Sequence, residues 1–276
     1  MATAWIDSTP VIIFTGQQPL THLGKGAFQE INHTAIFSPI TKWSTMLVKP
    51  EKAIEVMRES FKATTWGRPG PVHIDLPLDV QNQSVECSEE EIAKEVSAAL
   101  SPPKPYGDPY AISKALKLLV ESSKPVIIAG GGVYYSSRAS KEIRELAEYL
   151  NVPVATTFNG RGSFPEDHPL SIGRIGIHSS SLADRVLAES DLIIAVGCRF
   201  AALSTREWRN ISPAARLIHI DIDLMVIGRN YPVEIGIVGD AKTVLSQLLN
   251  LAKSLHDLGR EKRAEWLKFI ECAREE

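Results

Sequence analysis

A chain of 276 residues, 44% apolar and 23% charged, is long and apolar enough to bury one or two cores, which excludes a disordered or fibrous protein. Its net charge of -3, with the signs interspersed, leaves no basic face for nucleic acid and no cationic segment for a membrane surface. The longest apolar runs fall far short of the ~18 residues that cross a bilayer, and the first residues carry no charged secretory leader, so a cytoplasmic location is expected.

Taken in chain order, β-branched runs bounded by Gly and Pro predict strands at 11–15, 72–76, 126–129, 152–156, 192–196, 217–222 and 235–238. Between them, apolar residues fall at helical spacing: Ile54, Met57 and Phe61, then Ile112, Ala115, Leu116 and Leu119, then Ile143, Leu146, Ala147 and Leu150. Strands alternating with helices predict an α/β fold with parallel sheets, because a parallel strand needs a crossover to return. The acidic stretch at 86–92 gives way to a segment holding Pro102, Pro103, Pro105 and Pro109, which opposes helix and central strand alike. The expected organisation is therefore a partial α/β domain at 1–83, a linker at 84–108, and a doubly wound, Rossmann-like domain at 109–251. With two strands and one helix ahead of the linker, the first segment reads as half of a domain. A charged amphipathic helix is expected within 252–276, carrying Leu258, Trp266, Leu267 and Ile270 on its apolar side and leading towards a further domain.

The chemistry-bearing residues cluster at predicted strand ends. Gly130, Gly131 and Gly132 follow one strand and open a helix, a pattern that brings backbone amides close to a phosphate or makes a tight structural turn, and both readings stay open because the sequence is not Gly-x-Gly-x-x-Gly. Thr157, Arg199, Asp221 with Asp223, and Asp240 follow other strands, where ligands of open α/β sheets bind. Asp221 and Asp223 alternate with Ile220 and Ile222, so both are expected on one strand face towards a ribose hydroxyl or solvent; Asp240 serves equally well as a helix N-cap. Earlier loops offer Phe28, Gln29 and Lys42. Cys87, Cys198 and Cys272 are too scattered for a disulfide framework or a zinc site, and no nucleophile elbow, Walker loop or His-Glu-x-x-His helix occurs.

In order, several segments resemble the thiamine diphosphate enzyme family, and within it the acetolactate synthase large subunits. These are Ala4-Trp5-Ile6-Asp7-Ser8-Thr9-Pro10, Gly16-Gln17, Ala27-Phe28-Gln29-Glu30, Pro39-Ile40-Thr41-Lys42 and Gly67-Arg68-Pro69-Gly70-Pro71. Beyond the linker the resemblance continues through residues 124–132, Pro153-Val154-Ala155-Thr156-Thr157, Gly197-Cys198-Arg199-Phe200, His219-Ile220-Asp221-Ile222-Asp223 and Gly239-Asp240. It implies the second half of the pyrimidine-binding domain followed by the central domain. Phe28 and Gln29 would then lie near the aminopyrimidine and reacting carbon, and Lys42 near the substrate entrance.

The resemblance further implies thiamine diphosphate and Mg2+ in the complete enzyme, held by a Gly-Asp-Gly motif that this sequence lacks, and a catalytic glutamate from a segment ahead of Met1. It implies FAD or ADP over the central-domain residues Gly130, Gly131, Gly132, Thr157, Arg199, Asp221 and Asp240. Flavin-binding members carry His-Gly-Thr and Arg-Phe-Asp-Asp-Arg where this chain has His178-Ser179-Ser180 and Arg199-Phe200-Ala201-Ala202-Leu203, and Ser101 replaces a linker arginine. The expected function is part of a 2-oxoacid decarboxylating carboligase, inactive alone and completed by a homo-oligomer or a complementing subunit. The alternatives are a non-catalytic nucleotide-binding remnant and a related thiamine enzyme such as sulfoacetaldehyde acetyltransferase, glyoxylate carboligase or pyruvate oxidase. An NAD-dependent deacylase would want clustered zinc-binding cysteines, which are absent.

Overall fold

The alternating pattern resolves into two parallel sheets in the computed structural model, which describes residues 1–137, 139–256 and 258–275. They belong to two compact units, residues 1–103 and 104–276. The architecture is α/β and, in the second unit, doubly wound.

In the first unit, α1 (Ala2–Asp7) leads to β1 (Ile12–Gln17), α2 (His33–Phe37), β2 (Trp43–Met46), α3 (Ala53–Thr65), β3 (Val72–Pro77), α4 (Leu78–Gln81) and α5 (Glu89–Ala99). The strand order is β1-β3-β2, all parallel, with Thr15 of β1 beside Asp75 of β3. Two findings differ from the sequence expectation. The unit has three strands rather than two: β2 is short, polar and at the sheet edge, so it lacks the β-branched run that marks a buried strand. Nor is 84–108 a linker throughout. Ser88 accepts a hydrogen bond from the Glu91 amide at 3.1 Å, and Glu89, Glu90 and Glu91 meet the positive end of the helix dipole, so the acidic run starts α5. Trp66 ties α5 down by donating from Nε1 to the Ala99 carbonyl at 3.0 Å. Only the proline run separates the units.

The second unit runs α6 (Pro109–Glu121), β4 (Pro125–Ala129), α7 (Gly131–Tyr135), α8 (Ser140–Leu150), β5 (Val154–Thr156), β6 (Ser171–Arg174), α9 (Ser181–Glu189), β7 (Leu192–Val196), β8 (Arg216–Asp221), β9 (Ile235–Val238), α10 (Ala241–Lys253) and α11 (Ala264–Glu275). Its sheet is wholly parallel in the order β6-β5-β4-β7-β8-β9. The chain thus winds outward from β4 in one direction and then, from β7, in the other, and the reversal between β4 and β7 is where open sheets of this kind bind ligands. The sixth strand, β6, escaped the sequence pattern for the same reason as β2: four residues, Ser and Arg at its ends, an edge position and an irregular register.

Successive side chains of β4 enter opposite cores. Ile127 and Ala129 pack with α6, α8 and α10, and Val126 and Ile128 with α9 and α11. Helix boundaries follow local chemistry: Asp108 caps α6 ahead of Pro109, Asn151 takes the left-handed conformation that ends α8, and Ser180 caps α9. In the tail, Leu258, Trp266 and Ile270 are buried against the second unit, while Leu267 is only half-buried. Positions 257 and 276 of that expected helical segment lie outside the described residues. No helix among the described residues is long and apolar enough to cross a membrane.

Candidate functional site

In the second unit the predicted residues converge on the carboxyl edge of the sheet. Gly130, Gly131 and Gly132 follow β4, Thr157 follows β5, Arg199 lies just beyond β7, Asp221 ends β8 and Asp240 follows β9. The glycines at the reversal point serve close packing. A Cβ on Gly130 would lie 2.1 Å from the Gly197 carbonyl oxygen, and one on Gly132 would lie 2.6 Å from the Gly197 Cα. The Gly130 amide donates to the Val196 carbonyl at 2.8 Å and the Gly132 amide to the Gly197 carbonyl at 3.0 Å. These two amides are therefore committed to β7 and its turn. The Gly130–Gly132 stretch is a turn locked against another turn more than an open anion cradle.

The other polar groups are similarly engaged. Thr157 caps the short turn after β5 by accepting from the Gly160 amide at 3.1 Å. Asp240 caps α10 through the Thr243 amide at 3.1 Å, and its second oxygen accepts from the Ser136 hydroxyl at 2.6 Å. Asp221 is buried, and its Oδ1 accepts from the Asp223 amide at 2.9 Å. Because β8 stops at Asp221, Asp223 lies in the turn beyond, where it accepts from the Met225 amide at 2.9 Å. The expected aspartate pair on one strand face is thus corrected: the strand ends too soon, and each carboxylate closes a turn. Ser179 donates to Asp184 at 2.8 Å.

Burial pushes the Cys198 thiol up to about 12 and holds His219 below the ordinary imidazole range, its ring against the Cys198 carbonyl at 2.8 Å. A thiol that does not ionise is no nucleophile, and Cys198 is a packed core residue. The loop after β7 carries backbone strain that its sequence did not announce: Phe200, Arg206, Glu207 and Trp208 all have positive φ without being glycine.

In the first unit, Phe28 and Gln29 share the 18–32 loop, and both are exposed. Phe28 is 80% accessible, and Gln29 sits at φ 59. Lys42 folds against the 66–71 loop, donating from Nζ to the Trp66 carbonyl at 2.7 Å. Beneath the 18–32 loop lies a polar layer that sequence reasoning missed. Asp75, fully buried on β3, accepts from Thr15 at 2.7 Å and Gln17 at 3.0 Å, and pairs with His33 Nδ1 at 2.9 Å. His73 bridges Thr15 at 2.7 Å and Ser44 at 2.8 Å, under the stacked ring of Phe37. The signal was present as polar residues at period two, Thr15 and Gln17 on one strand and His73 and Asp75 on its neighbour.

Residues 112–248 match the thiamine pyrophosphate enzyme central domain. The chain belongs to the thiamine pyrophosphate enzyme family. It is 47% identical over 270 residues to a probable acetolactate synthase large subunit of Methanocaldococcus jannaschii, covering 98% of this chain and 45% of the relative. Acetolactate synthase large subunits of Corynebacterium glutamicum and Buchnera aphidicola are 38% and 36% identical, each over 98% of this chain and over 42% and 47% of their own lengths. The chain spans less than half the length of these relatives. Within this family of thiamine enzymes, the second unit contains the segment matched as central domain, and the first unit precedes it.

Proposed function

We propose that the chain is part of a thiamine diphosphate-dependent 2-oxoacid decarboxylating carboligase of the acetolactate synthase type, which joins two pyruvates into acetolactate with loss of CO2. The observation that carries this reading is the 47% identity to a probable acetolactate synthase large subunit across 98% of the chain. Thiamine diphosphate, with Mg2+ in the complete enzyme, supplies the electron sink for decarboxylation. The chain's own contribution is positional: Phe28 and Gln29 present an aromatic ring and an amide to the reacting region, and Lys42 offers a cation towards the substrate carboxylate.

At the carboxyl edge of the second unit, the residues fit the adenosine diphosphate half of a nucleotide better than a whole flavin. Gly131, Thr157, Arg199 and Asp221 supply an amide, a hydroxyl, a cation and a carboxylate around the reversal point between β4 and β7. Ala201 and Ala202 bring no polar atoms for the flavin half, and the Ser179 hydroxyl is turned to Asp184.

The first unit is completed by a homo-oligomer or a complementing subunit. This is supported by the exposure of Ile6, Phe14, Ile36 and Val48, each about half accessible, around a sheet whose outer strands β1 and β2 have open edges. A cytoplasmic location goes with this reading. Growth tests it: a strain lacking acetolactate synthase is given the Methanocaldococcus relative with its matching segment replaced by this chain. Growth without branched-chain amino acids is expected. A stably expressed graft that supports none would overturn the reading.

A further inference from the structure

Asp75 is a carboxylate with no accessible surface, on the central strand of a small sheet. Well-packed apolar residues are often as stable as such a buried charge, so the geometry it enforces is the reason to look for a role. Its donors define that geometry. Two of the three, Gln17 and His33, stand immediately before and after the 18–32 loop. One carboxylate therefore clasps both ends of a fifteen-residue excursion. Gln17 Nε2 also donates to the Ile31 carbonyl at 2.8 Å, which brings the end of the loop onto the same clasp.

The loop above is built from its own polar contacts. Gln18 donates to the Phe28 carbonyl at 2.7 Å, and the Glu30 carboxylate takes the Gly24 and Ala27 amides at 2.5 and 3.0 Å. Those backbone hydrogen bonds hold Glu30 below the usual carboxylate range. The Asp79 carboxylate accepts from the Leu20 amide at 3.0 Å. Phe28 and Gln29 thus stand at the tip of a braced loop, Phe28 almost wholly in solvent and Gln29 in a left-handed conformation that an unbraced chain would leave. Side chains that must meet a reacting centre need this kind of support beneath them.

We propose that Asp75 is a positioning residue: through Gln17 and His33 it fixes the 18–32 loop and thereby the placement of Phe28 and Gln29, a role that rests on the carboligase reading for its purpose but not for its test. Lys25, inside the loop, gives trypsin a site whose cleavage reports loop opening. The 276-residue chain is digested under native conditions, and the rate at Lys25 is compared with the global melting temperature for Asp75→Asn, His33→Leu and His33→Asn. Asparagine keeps a donor near the place of the imidazole Nδ1, whereas leucine fills the volume without one.

Cleavage at Lys25 at least tenfold faster is expected for Asp75→Asn and His33→Leu, with His33→Asn within about twofold of the parent chain. Tenfold corresponds to about 1.4 kcal/mol of local opening. If Asp75→Asn does not fold, the two His33 variants carry the comparison, since that side chain is partly exposed and pairs at the rim of the layer. Equal rates for His33→Leu and His33→Asn, or a fall in melting temperature with unchanged Lys25 cleavage, would overturn the clasp. Neither outcome depends on catalysis, so failure here leaves the carboligase reading standing, and an inactive graft with a protected loop leaves the clasp standing.

Discussion

Replacing Arg263 with methionine tests how the tail is joined to the second unit. The side chain is fully buried and donates to the carbonyls of Leu119 and Leu150, with a longer contact to Ser122 at 3.5 Å. These oxygens lie in the last turn or at the end of α6 and α8, where helices leave carbonyls without internal partners. Burial draws the guanidinium pKa down to about 10, eased by Asp191, so the group stays charged at neutral pH. Methionine keeps the apolar stem and strands at least two carbonyls, at about 1–3 kcal/mol each, while relieving part of the cost of burying a charge. The net loss expected is about 3 kcal/mol, or a fall of about 6–12 °C in the melting temperature of a unit this size. Thermal unfolding followed by circular dichroism measures it, with Arg263→Lys expected in between because an ammonium cannot fork to both helices. A methionine variant as stable as the parent would show that the burial cost cancels the bonds, and that the tail is held by its other contacts, among them the buried Leu258, Trp266 and Ile270.

Gly130→Ala should destabilise the second unit by about 2–4 kcal/mol in denaturant unfolding, because its Cβ would fall on the Gly197 carbonyl; a neutral effect would mean the two turns separate freely. His73 and His219 are both held below the ordinary value of 6.5, chiefly by burial, so the unfolded chain takes up protons that the folded one refuses. Stability is therefore fully present above about pH 6.5 and lost as the pH falls below it, and His73→Gln and His219→Gln should each flatten the acid side of a melting-temperature profile from pH 8 to 5. Calorimetric titration with ADP and with FAD should give weak and similar affinities; FAD bound far more tightly, or yellow protein from expression, would show that Ser179, Ala201 and Ala202 do not weaken the flavin half. The purified 276-residue polypeptide, given pyruvate, thiamine diphosphate and Mg2+, should form no acetolactate in a colour assay, and a clear signal would refute the need for a complement.

The fold was legible where burial is two-sided. β4 and β7 are continuous apolar runs because both faces of the sheet are covered, whereas α3, α6 and α8 show at helical period because each buries one face and leaves the other to solvent. It was illegible at the polar edge strands β2 and β6, which carry Ser, Thr and Arg, and legible at the edge strands β1 and β9, which keep isoleucines. The acidic 86–92 stretch misled because a capped, dipole-matched helix start resembles a solvated linker in composition. At the candidate site, sequence placed Gly130, Thr157, Arg199, Asp221 and Asp240 on one sheet edge through their strand-end positions. It did not reveal that the glycine amides and the Asp240 carboxylate are spent inside the fold, since those partners come from residues 136, 196 and 197, distant in sequence from one or the other. The Asp75 layer was hidden for a related reason: its members come from four separate segments, and only pairing of the strands brings them together.

The most direct test of membership in a carboligase is the rate of acetolactate formation by a purified graft, in which this chain replaces the matching segment of the Methanocaldococcus relative. With thiamine diphosphate, Mg2+ and pyruvate, a rate within about tenfold of the parent relative is expected, because the chain is 47% identical to that relative over 270 residues. A folded graft that binds thiamine diphosphate and yet releases neither acetolactate nor CO2 from pyruvate would contradict it.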